Sequence, residues 1–278
     1  MHLFHNSGFQ CSRMITQLYS TSFASAIRLL HKDLRDPIYG IYGFVRVADE
    51  IVDTFHEHDK KTLLSEFSRE TWLALARGIS TNPILHAFQL VVRQYRIPHH
   101  LIQAFLESMA MDLDKSVYQS AAEIDEYIYG SAEVVGLMCL CVFCEGDLDL
   151  YEKLKAPARK LGAAFQKVNF LRDMKADFQQ LQRTYFPGFN FYNFDAHTKQ
   201  QIEDDIRKDF EDSLEGIRML PWKARFGVYT AYRYYQALFR KICSLQPAKV
   251  LEQRIRVPDY QKALIVLNAN WNHRLNLI

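Results

Sequence analysis

Several features are scarce in this chain of 278 residues, and each absence excludes a class of protein. Its 11 glycines and 8 prolines form no Gly-, Ser- or Pro-rich tract, which favours one continuous domain over residues 1–278. The net charge of +2 gives no signal for a nucleic-acid partner, and we expect none. No run of 18 residues is wholly apolar, and no signal peptide pattern begins the chain. We therefore expect no transmembrane helix and a cytoplasmic protein.

Cysteine is also scarce, with five residues in all. An odd number argues against a disulfide framework. Cys139, Cys141 and Cys144 lie close enough in sequence to suggest a metal cluster, but their neighbours are apolar and no second Cys or His cluster completes a zinc site. The pattern is more typical of small thiols buried in a helix.

Helical periodicity accounts for most of the sequence. Hydrophobic residues make up 49% of the chain, enough for a sizeable core, and no segment alternates over the length of a strand. The fold class predicted is all-α: a single-domain helical bundle that binds ligands between its helices. Apolar residues recur at steps of three and four in 10–30, 38–55, 62–77, 83–95, 99–115, 123–145, 150–182, 200–218, 223–243 and 259–275.

One helical face stands out in the segment 166–186. Gln166, Asn169, Asp173 and Asp177 follow at steps of three and four, so they share one face, with Arg172 beside them. Such a carboxylate row repels itself unless a cation neutralises it, and oxygen ligands favour Mg²⁺, with Mn²⁺ as a substitute. The alternative is an ordinary solvated helix face.

A second face of this kind lies in the segment 36–55. Tyr42, Arg46, Asp49 and Asp53 share it, and the intervening residues are strongly apolar, so the helix should be largely buried. Buried carboxylates need a partner. Pairing of Arg46 with Asp49 is one explanation, and a metal–diphosphate cluster explains the face more completely.

The two aspartate segments, 49–53 and 169–177, resemble the aspartate-rich motifs of the squalene/phytoene synthase family. Segments 20–23, 129–138 and 183–187 resemble three further motifs of that family and lie in the family's order. The resemblance covers roughly residues 12–190. It implies the class I isoprenoid synthase fold with a central cavity, and an enzyme that joins two prenyl diphosphates head to head.

The resemblance also implies roles for the matching residues. Expected metal ligands are Asp49, Asp53, Asn169, Asp173 and Asp177. Expected catalytic residues are Tyr42, Arg46, Tyr129, Gln166, Arg183 and Tyr185. Expected substrate contacts are Ser20, Ser22, Arg46, Asn169, Arg172, Asp112, Tyr232 and Arg256. For the serines the alternative is a helix N-cap, and for Tyr232 it is a place in the aromatic core.

Three residues depart from the family pattern. Thr21 replaces a basic residue, which weakens one expected phosphate contact. Ala176 replaces an acid, so one carboxylate is missing beside Asp177. Glu133 stands where glycine is common, and its direction is left open.

The predicted activity is phytoene formation. The resemblance is greatest to bacterial phytoene synthases, which implies that two geranylgeranyl diphosphates condense through a cyclopropyl diphosphate with Mg²⁺ and without NADPH, in carotenoid biosynthesis. The alternatives are squalene or dehydrosqualene synthesis from farnesyl diphosphate, a class I terpene cyclase, and a non-enzymatic relative. Because the product is a long hydrocarbon, we expect peripheral membrane contact for its release. The oligomeric state is not predicted.

Overall fold

The computed structural model describes residues 1–181, 183–186, 194–252 and 254–274. Over those ranges the chain folds into thirteen α-helices and one π-helical turn, and no strand is formed. The all-α prediction is confirmed. The helices are α1 (His2–Tyr19), α2 (Thr21–Arg28), α3 (Lys32–Asp53), α4 (Lys60–Arg77), α5 (Pro83–Tyr95), α6 (His99–Asp114), α7 (Ala121–Ile128), α8 (Val134–Cys144), α9 (Leu148–Leu181), α10 (Ala196–Met219), α11 (Trp222–Cys243), α12 (Pro247–Glu252) and α13 (Asp259–Arg274), with the π turn at Tyr129–Glu133.

Local chemistry sets where these helices begin and end. The Ser20 hydroxyl accepts the Phe23 N–H at 3.3 Å and starts α2, so the predicted segment 10–30 is two helices that break at this serine. The side chain of Asn82 accepts the N–H of Ile84 at 3.0 Å and starts α5. Gly78, at φ 69, ends α4 in the left-handed conformation that glycine adopts without strain. The predicted break at Pro187 lies outside the described residues.

Two large hydrophobic clusters fill the bundle. One is centred on Phe44 of α3, whose ring stacks on Phe88 of α5 at 3.9 Å between centroids. The other joins α9, α10 and α11 around Phe210. The 34 residues of α9 make this helix about 50 Å long, and it runs beside both clusters. A cavity lies between the clusters.

The helical segment Ala121–Cys144 bears on the expectation of no transmembrane helix. It is long enough and apolar enough, at a mean hydropathy of 1.7, to cross a membrane by length and composition alone. Of its most apolar stretch of 18 residues, 56% is nevertheless buried inside the bundle, as in a core helix. Burial raises the pKa of Cys139 and Cys144 to about 12, so these thiols stay protonated. Among the described residues no group of three or more His, Cys, Asp or Glu side chains could hold a metal ion by itself.

Candidate functional site

The central cavity has a volume of about 730 Å³ and is polar at one end. Its walls come from α2, α3, α6, the π turn, α8, α9, α10 and α11. Along α9 the lining changes from Asp177 through Asn169 to Leu161 and Leu154. That stretch spans about 35 Å at 1.5 Å per residue. The cavity therefore has the form expected for a ligand with one charged end and a long apolar tail.

The α3 wall carries the first pair of carboxylates. Asp49 and Asp53 lie one turn apart, and both line the cavity. Burial raises the pKa of Asp49 to about 7, and the neighbouring charge of Asp53 contributes to this rise against the opposing effect of Arg46. Arg46 lies 3.6 Å from Asp49 and forms an ion pair with Glu50 one turn along the helix. The guanidinium is therefore present at the site but already neutralised.

The α9 wall carries the second pair. Arg172 donates from Nε to both carboxylate oxygens of Asp173, at 3.1 and 3.0 Å, and Arg254 reaches the same carboxylate at 2.8 Å. Burial raises the pKa of Asp177 to about 7, with Asp173 and Asp53 adding to the shift. Arg183 connects the two pairs, since its guanidinium donates to Asp53 of α3 at 3.1 Å and its backbone N–H donates to the Asp177 carbonyl of α9 at 3.1 Å, so the two carboxylate pairs meet at the polar end.

A buried arginine closes this end of the cavity. Arg183 is 6% exposed and donates to Asp53 at 3.1 Å and to the carbonyl of Asp112 at 2.8 Å. The Asp112 carboxylate also accepts the Tyr127 hydroxyl at 3.0 Å, and burial raises its pKa to about 7. Tyr185 stacks on Phe170 of α9 at 3.8 Å between ring centroids. The segment after α9 is thus fixed to both carboxylate helices.

The carboxylate pairs fit a divalent cation that is shared with a substrate. Burial, and after it the charge of the neighbouring Asp53 or Asp173, raises the pKa of Asp49 and of Asp177, and a dication at the pair would oppose this rise. Neither pair forms a complete ligand set on its own within the described residues. Mg²⁺ commonly binds through one or two carboxylates together with substrate phosphates, which is the arrangement these pairs allow.

The π turn before α8 positions a further cavity residue. Gln166 donates to the Ser131 hydroxyl in this turn at 3.3 Å. The turn lies close against α6, because a Cβ on Gly130 would come within 2.6 Å of the Ala104 carbonyl oxygen and of Ser108 Cβ. Such π turns often occur at functional sites. Glu133, in the same turn, pairs with Arg159 at 2.5 Å and does not line the cavity.

Most of the predicted site residues meet at this cavity. The residues that line it are Ser20, Tyr42, Arg46, Asp49, Asp53, Asp112, Gln166, Asn169, Arg172, Asp173, Asp177, Arg183 and Tyr185. Of the residues that depart from the family pattern, Ala176 lines the cavity, whereas Thr21 is exposed at the start of α2.

Four predicted residues lie outside the cavity lining, so the structure does not bring them together with the others. Ser22 is in the first turn of α2 and Ser20 provides the cap. The ring of Tyr129 lies under the guanidinium of Arg159. Tyr232 is buried against Phe210, and its hydroxyl accepts a bond from Gln236. Arg256 is exposed, and its carbonyl accepts a bond from Lys241.

Three residues of the site were not predicted. Tyr235 stacks on Phe165 at 3.9 Å and donates to Asn169 at 3.3 Å. Arg254 pairs with Asp173, and Tyr19 lies 4.6 Å beneath the guanidinium of Arg46. The sequence does indicate Arg254, because it forms a basic pair with Arg256 before Pro258, and Tyr235 lies one helical turn from the predicted Tyr232. Tyr19 carried no signal beyond its place next to the serine segment.

Comparison with known proteins gives one consistent result. The sequence model of the family described as squalene/phytoene synthase matches residues 16–261. The chain is 25% identical over 272 residues to a 15-cis-phytoene synthase of Paracoccus sp., covering 91% of this chain and 88% of that protein. It is 29% identical over 254 residues to a phytoene synthase of Cereibacter sphaeroides, covering 82% and 69%.

Solved structures share the fold. A dehydrosqualene synthase in complex with ligand superimposes with a TM-score of 0.84 at 20% identity, over 97% of this chain and 98% of that one. A squalene synthase from Alicyclobacillus acidocaldarius gives 0.75 at 20% identity, over 86% and 94%. These similarities confirm the predicted class I isoprenoid synthase fold.

Proposed function

Because the chain belongs to the squalene/phytoene synthase family, we propose that it is a prenyltransferase that joins two prenyl diphosphates head to head. The observation that carries the proposal is the pair of facing carboxylate rows, 49/53 and 173/177, at the polar end of an otherwise apolar cavity. A terpene cyclase would need a different second metal motif, and a non-enzymatic relative would have no use for all four aspartates.

The arginines and carboxylates of the polar end would bind the diphosphates. Mg²⁺, or Mn²⁺ in its place, held by the aspartates and Asn169, would supply Lewis-acid stabilisation of the leaving diphosphate. Arg46, Arg172 and Arg183 each contact a carboxylate now. When that carboxylate is otherwise neutralised, the guanidinium can turn to phosphate oxygens, which it binds in the same planar geometry.

The apolar walls would protect the cation that remains after ionisation. Phe165 stacks on Tyr235 and Phe170 stacks on Tyr185, and all four rings line the cavity. Ring faces stabilise cations and exclude water. The double bond of the second substrate would then attack C1 of the first to give a tertiary cation, and loss of a proton would close the ring of a cyclopropyl diphosphate. A second ionisation, rearrangement and proton loss give a conjugated triene.

For the substrate we propose geranylgeranyl diphosphate, with phytoene as the product. Relatives that are 25–29% identical carry the name phytoene synthase. Ala26, a small residue in the wall, leaves room for a long tail. The second candidate is dehydrosqualene or squalene synthesis from farnesyl diphosphate, which the structural similarity to a dehydrosqualene synthase favours. No NADPH is required for phytoene or dehydrosqualene.

A competition assay tests both candidates. Purified protein receives equal concentrations of farnesyl and geranylgeranyl diphosphate with Mg²⁺, and the hydrocarbons are identified by mass, with and without NADPH. We expect C40 phytoene in both conditions. A dominant C30 product would refute the substrate assignment, and dependence of that product on NADPH would identify squalene synthesis. No hydrocarbon under any condition would refute the condensation itself.

We also propose a cytoplasmic location with peripheral membrane contact. A C40 or C30 hydrocarbon has almost no solubility in water, so it must pass directly from the cavity to lipid. Acceleration of product release by lipid vesicles or detergent tests this step, and release at an unchanged rate would contradict it.

A further inference from the structure

One arginine of α9 contacts both ends of the π turn. Tyr129 is the first residue of this turn and Glu133 is the last. The guanidinium carbon of Arg159 lies 5.1 Å from the centroid of the Tyr129 ring, and its Nε donates to the Glu133 carboxylate at 2.5 Å. A single side chain thus connects the start of the turn with its end, and connects both with the helix that carries Gln166 and Asp173.

The contact with Arg159 makes the burial of Glu133 possible. Only 13% of the Glu133 side chain is exposed, and an acid at that depth is unfavourable without a cation. Burial raises the pKa of Glu133, and the hydrogen bond and charge of Arg159 oppose this rise. Lys160 and Asp209 also act on Glu133, but they pair with each other at 2.8 Å. Arg159 is therefore the direct partner of this carboxylate.

The backbone of the π turn is packed closely against α9. A Cβ on Gly162 of α9 would come within 2.9 Å of the Ala132 carbonyl oxygen and within 3.0 Å of Glu133 Cα. Just beyond the turn, a Cβ on Gly136 would lie 3.3 Å from the Ala158 carbonyl oxygen of α9. Gly162, Ala132, Gly136 and Ala158 all line the cavity. A change in the shape of the turn would therefore change the cavity wall that the turn forms with α9.

Cavity residues lie before, within and after the π turn. Tyr127 precedes it, Ser131 lies within it and Gly136 follows it, and all three line the cavity. The turn closes with a bond from the Val134 N–H to the Tyr129 carbonyl, which spans one residue more than an α-helical bond. If the extra residue were not accommodated there, the side chains before and after the turn would rotate relative to each other by about 100°. The conformation of the turn thus decides which side chains face the cavity.

We propose that Arg159 is a positioning residue for the reaction in the cavity. Together with Tyr129 and Glu133 it forms a clamp that holds the π turn in its conformation. None of these three residues lines the cavity, so the clamp acts through the turn alone. The turn in turn holds Ser131, whose hydroxyl accepts a hydrogen bond from Gln166 at 3.3 Å. The reaction that is positioned is the one under the proposed function, on which this inference rests, but the clamp can also be tested without substrate.

Hydrogen exchange of the purified full chain, followed by mass spectrometry, tests the clamp. Arg159→Gln should raise the exchange rate of the amides in 129–134 roughly fivefold or more, because both contacts of the guanidinium are lost. Lys160→Gln is the matched control, since Lys160 is 47% exposed and Arg159 is 46% exposed. It removes one cation from Asp209, which keeps Lys167 at 2.6 Å. The control should leave exchange in the turn unchanged.

Hydrocarbon formation with Mg²⁺ tests the positioning role. Arg159→Gln should lower kcat roughly 10–100-fold with KM within about twofold of the unmodified chain, because small displacements impair reaction more than binding. Arg159→Lys keeps the charge but not the planar group, so it should recover part of the lost kcat. Glu133→Gln should lower kcat less than Arg159→Gln, since the contact with Tyr129 remains. The double variant should be no slower than Arg159→Gln alone, as expected for residues that act as one unit.

The remaining outcomes distinguish the clamp from its alternatives. Unchanged exchange in the turn of Arg159→Gln, or an equal rise in Lys160→Gln, would overturn the clamp. Faster exchange throughout the described helices would also overturn it, because the arginine would then support the fold as a whole. A higher KM at unchanged kcat, or multiplied losses in the double variant, would overturn the positioning role. Faster exchange confined to the turn, in a chain that forms no hydrocarbon under any condition, supports the clamp and overturns the proposed function.

Discussion

Replacement of Asp49 by asparagine should stabilise the metal-free protein while it abolishes activity. Burial and Asp53 raise the pKa of Asp49 to about 7 from its ordinary value of 3.8. An acid whose pKa is higher in the folded state binds more protons when folded, so the unfolding free energy falls as pH rises from about 4 to about 7 and then stays constant. An asparagine side chain at this position has no charge to bury and avoids that loss.

The magnitude follows from the size of the shift. About three pKa units correspond to roughly 4 kcal/mol. The Asp49 side chain is 33% exposed and lies near Arg46, so solvent and the guanidinium screen most of this free energy. We expect the unfolding free energy of Asp49→Asn to be about 1–2 kcal/mol higher at pH 8, which corresponds to a melting temperature roughly 2–6 °C higher for a domain of this size. The gain should shrink towards zero at about pH 4.

Thermal unfolding in EDTA at several pH values measures the change in stability. Hydrocarbon formation with Mg²⁺ measures turnover, which we expect to fall by several orders of magnitude. Glu50→Gln is the matched control, because Glu50 lies on the same turn but does not line the cavity. Its activity should fall far less. An Asp49→Asn protein that is less stable than the unmodified chain at pH 8, or that retains near-normal turnover, would refute the reasoning.

Three further predictions concern other contacts of the site. Tyr235→Phe, which removes the hydroxyl bond to Asn169, should lower kcat/KM roughly 2–10-fold without changing the melting temperature; a loss of stability would contradict a role in the site. Arg183→Gln should lower the unfolding free energy by about 1–3 kcal/mol because it leaves Asp112 buried without its cation. Asp112→Asn in the same chain should restore most of the lost stability, whereas additive losses would show that the two residues are not coupled. Ala26→Phe should shift products from C40 to C30 roughly 10–200-fold, and an unchanged C40 to C30 ratio by mass would show that this wall does not limit tail length.

The two carboxylate helices could be predicted from the sequence because their signal is local. A row of polar residues at steps of three and four stands out where the rest of the helix is apolar, as at Tyr42 and Asp49 of α3. Periodicity alone continues across Ser20, and the helix start there was indicated instead by the serine itself, a typical N-cap residue. The π turn at Tyr129–Glu133 was missed, because one extra residue in a turn rotates the following face without changing composition.

The remaining errors come from helices that are buried on several sides. Helix α11 contacts α2, α9, α10 and α13, so an aromatic residue on any face of it can be core. Tyr232 and Tyr235 are both tyrosines in the same helix, and only the tertiary structure shows which one faces the cavity. Arg254 and Arg256 lie in a non-helical segment, where no period relates one side chain to its neighbour.

The arginines of the polar end already hold the aspartates, and this pairing has a consequence for selectivity. Arg172 and Arg254 hold Asp173, and Arg183 holds Asp53. If a dication and a diphosphate bind here as proposed, a dication at Asp53 or Asp173 displaces a guanidinium, and a phosphate on these arginines displaces a carboxylate. When both bind, each displaced group has a new partner. We therefore expect the affinities for the cation and for the diphosphate to increase each other by the same factor, so that either ligand alone binds more weakly than it does beside the other.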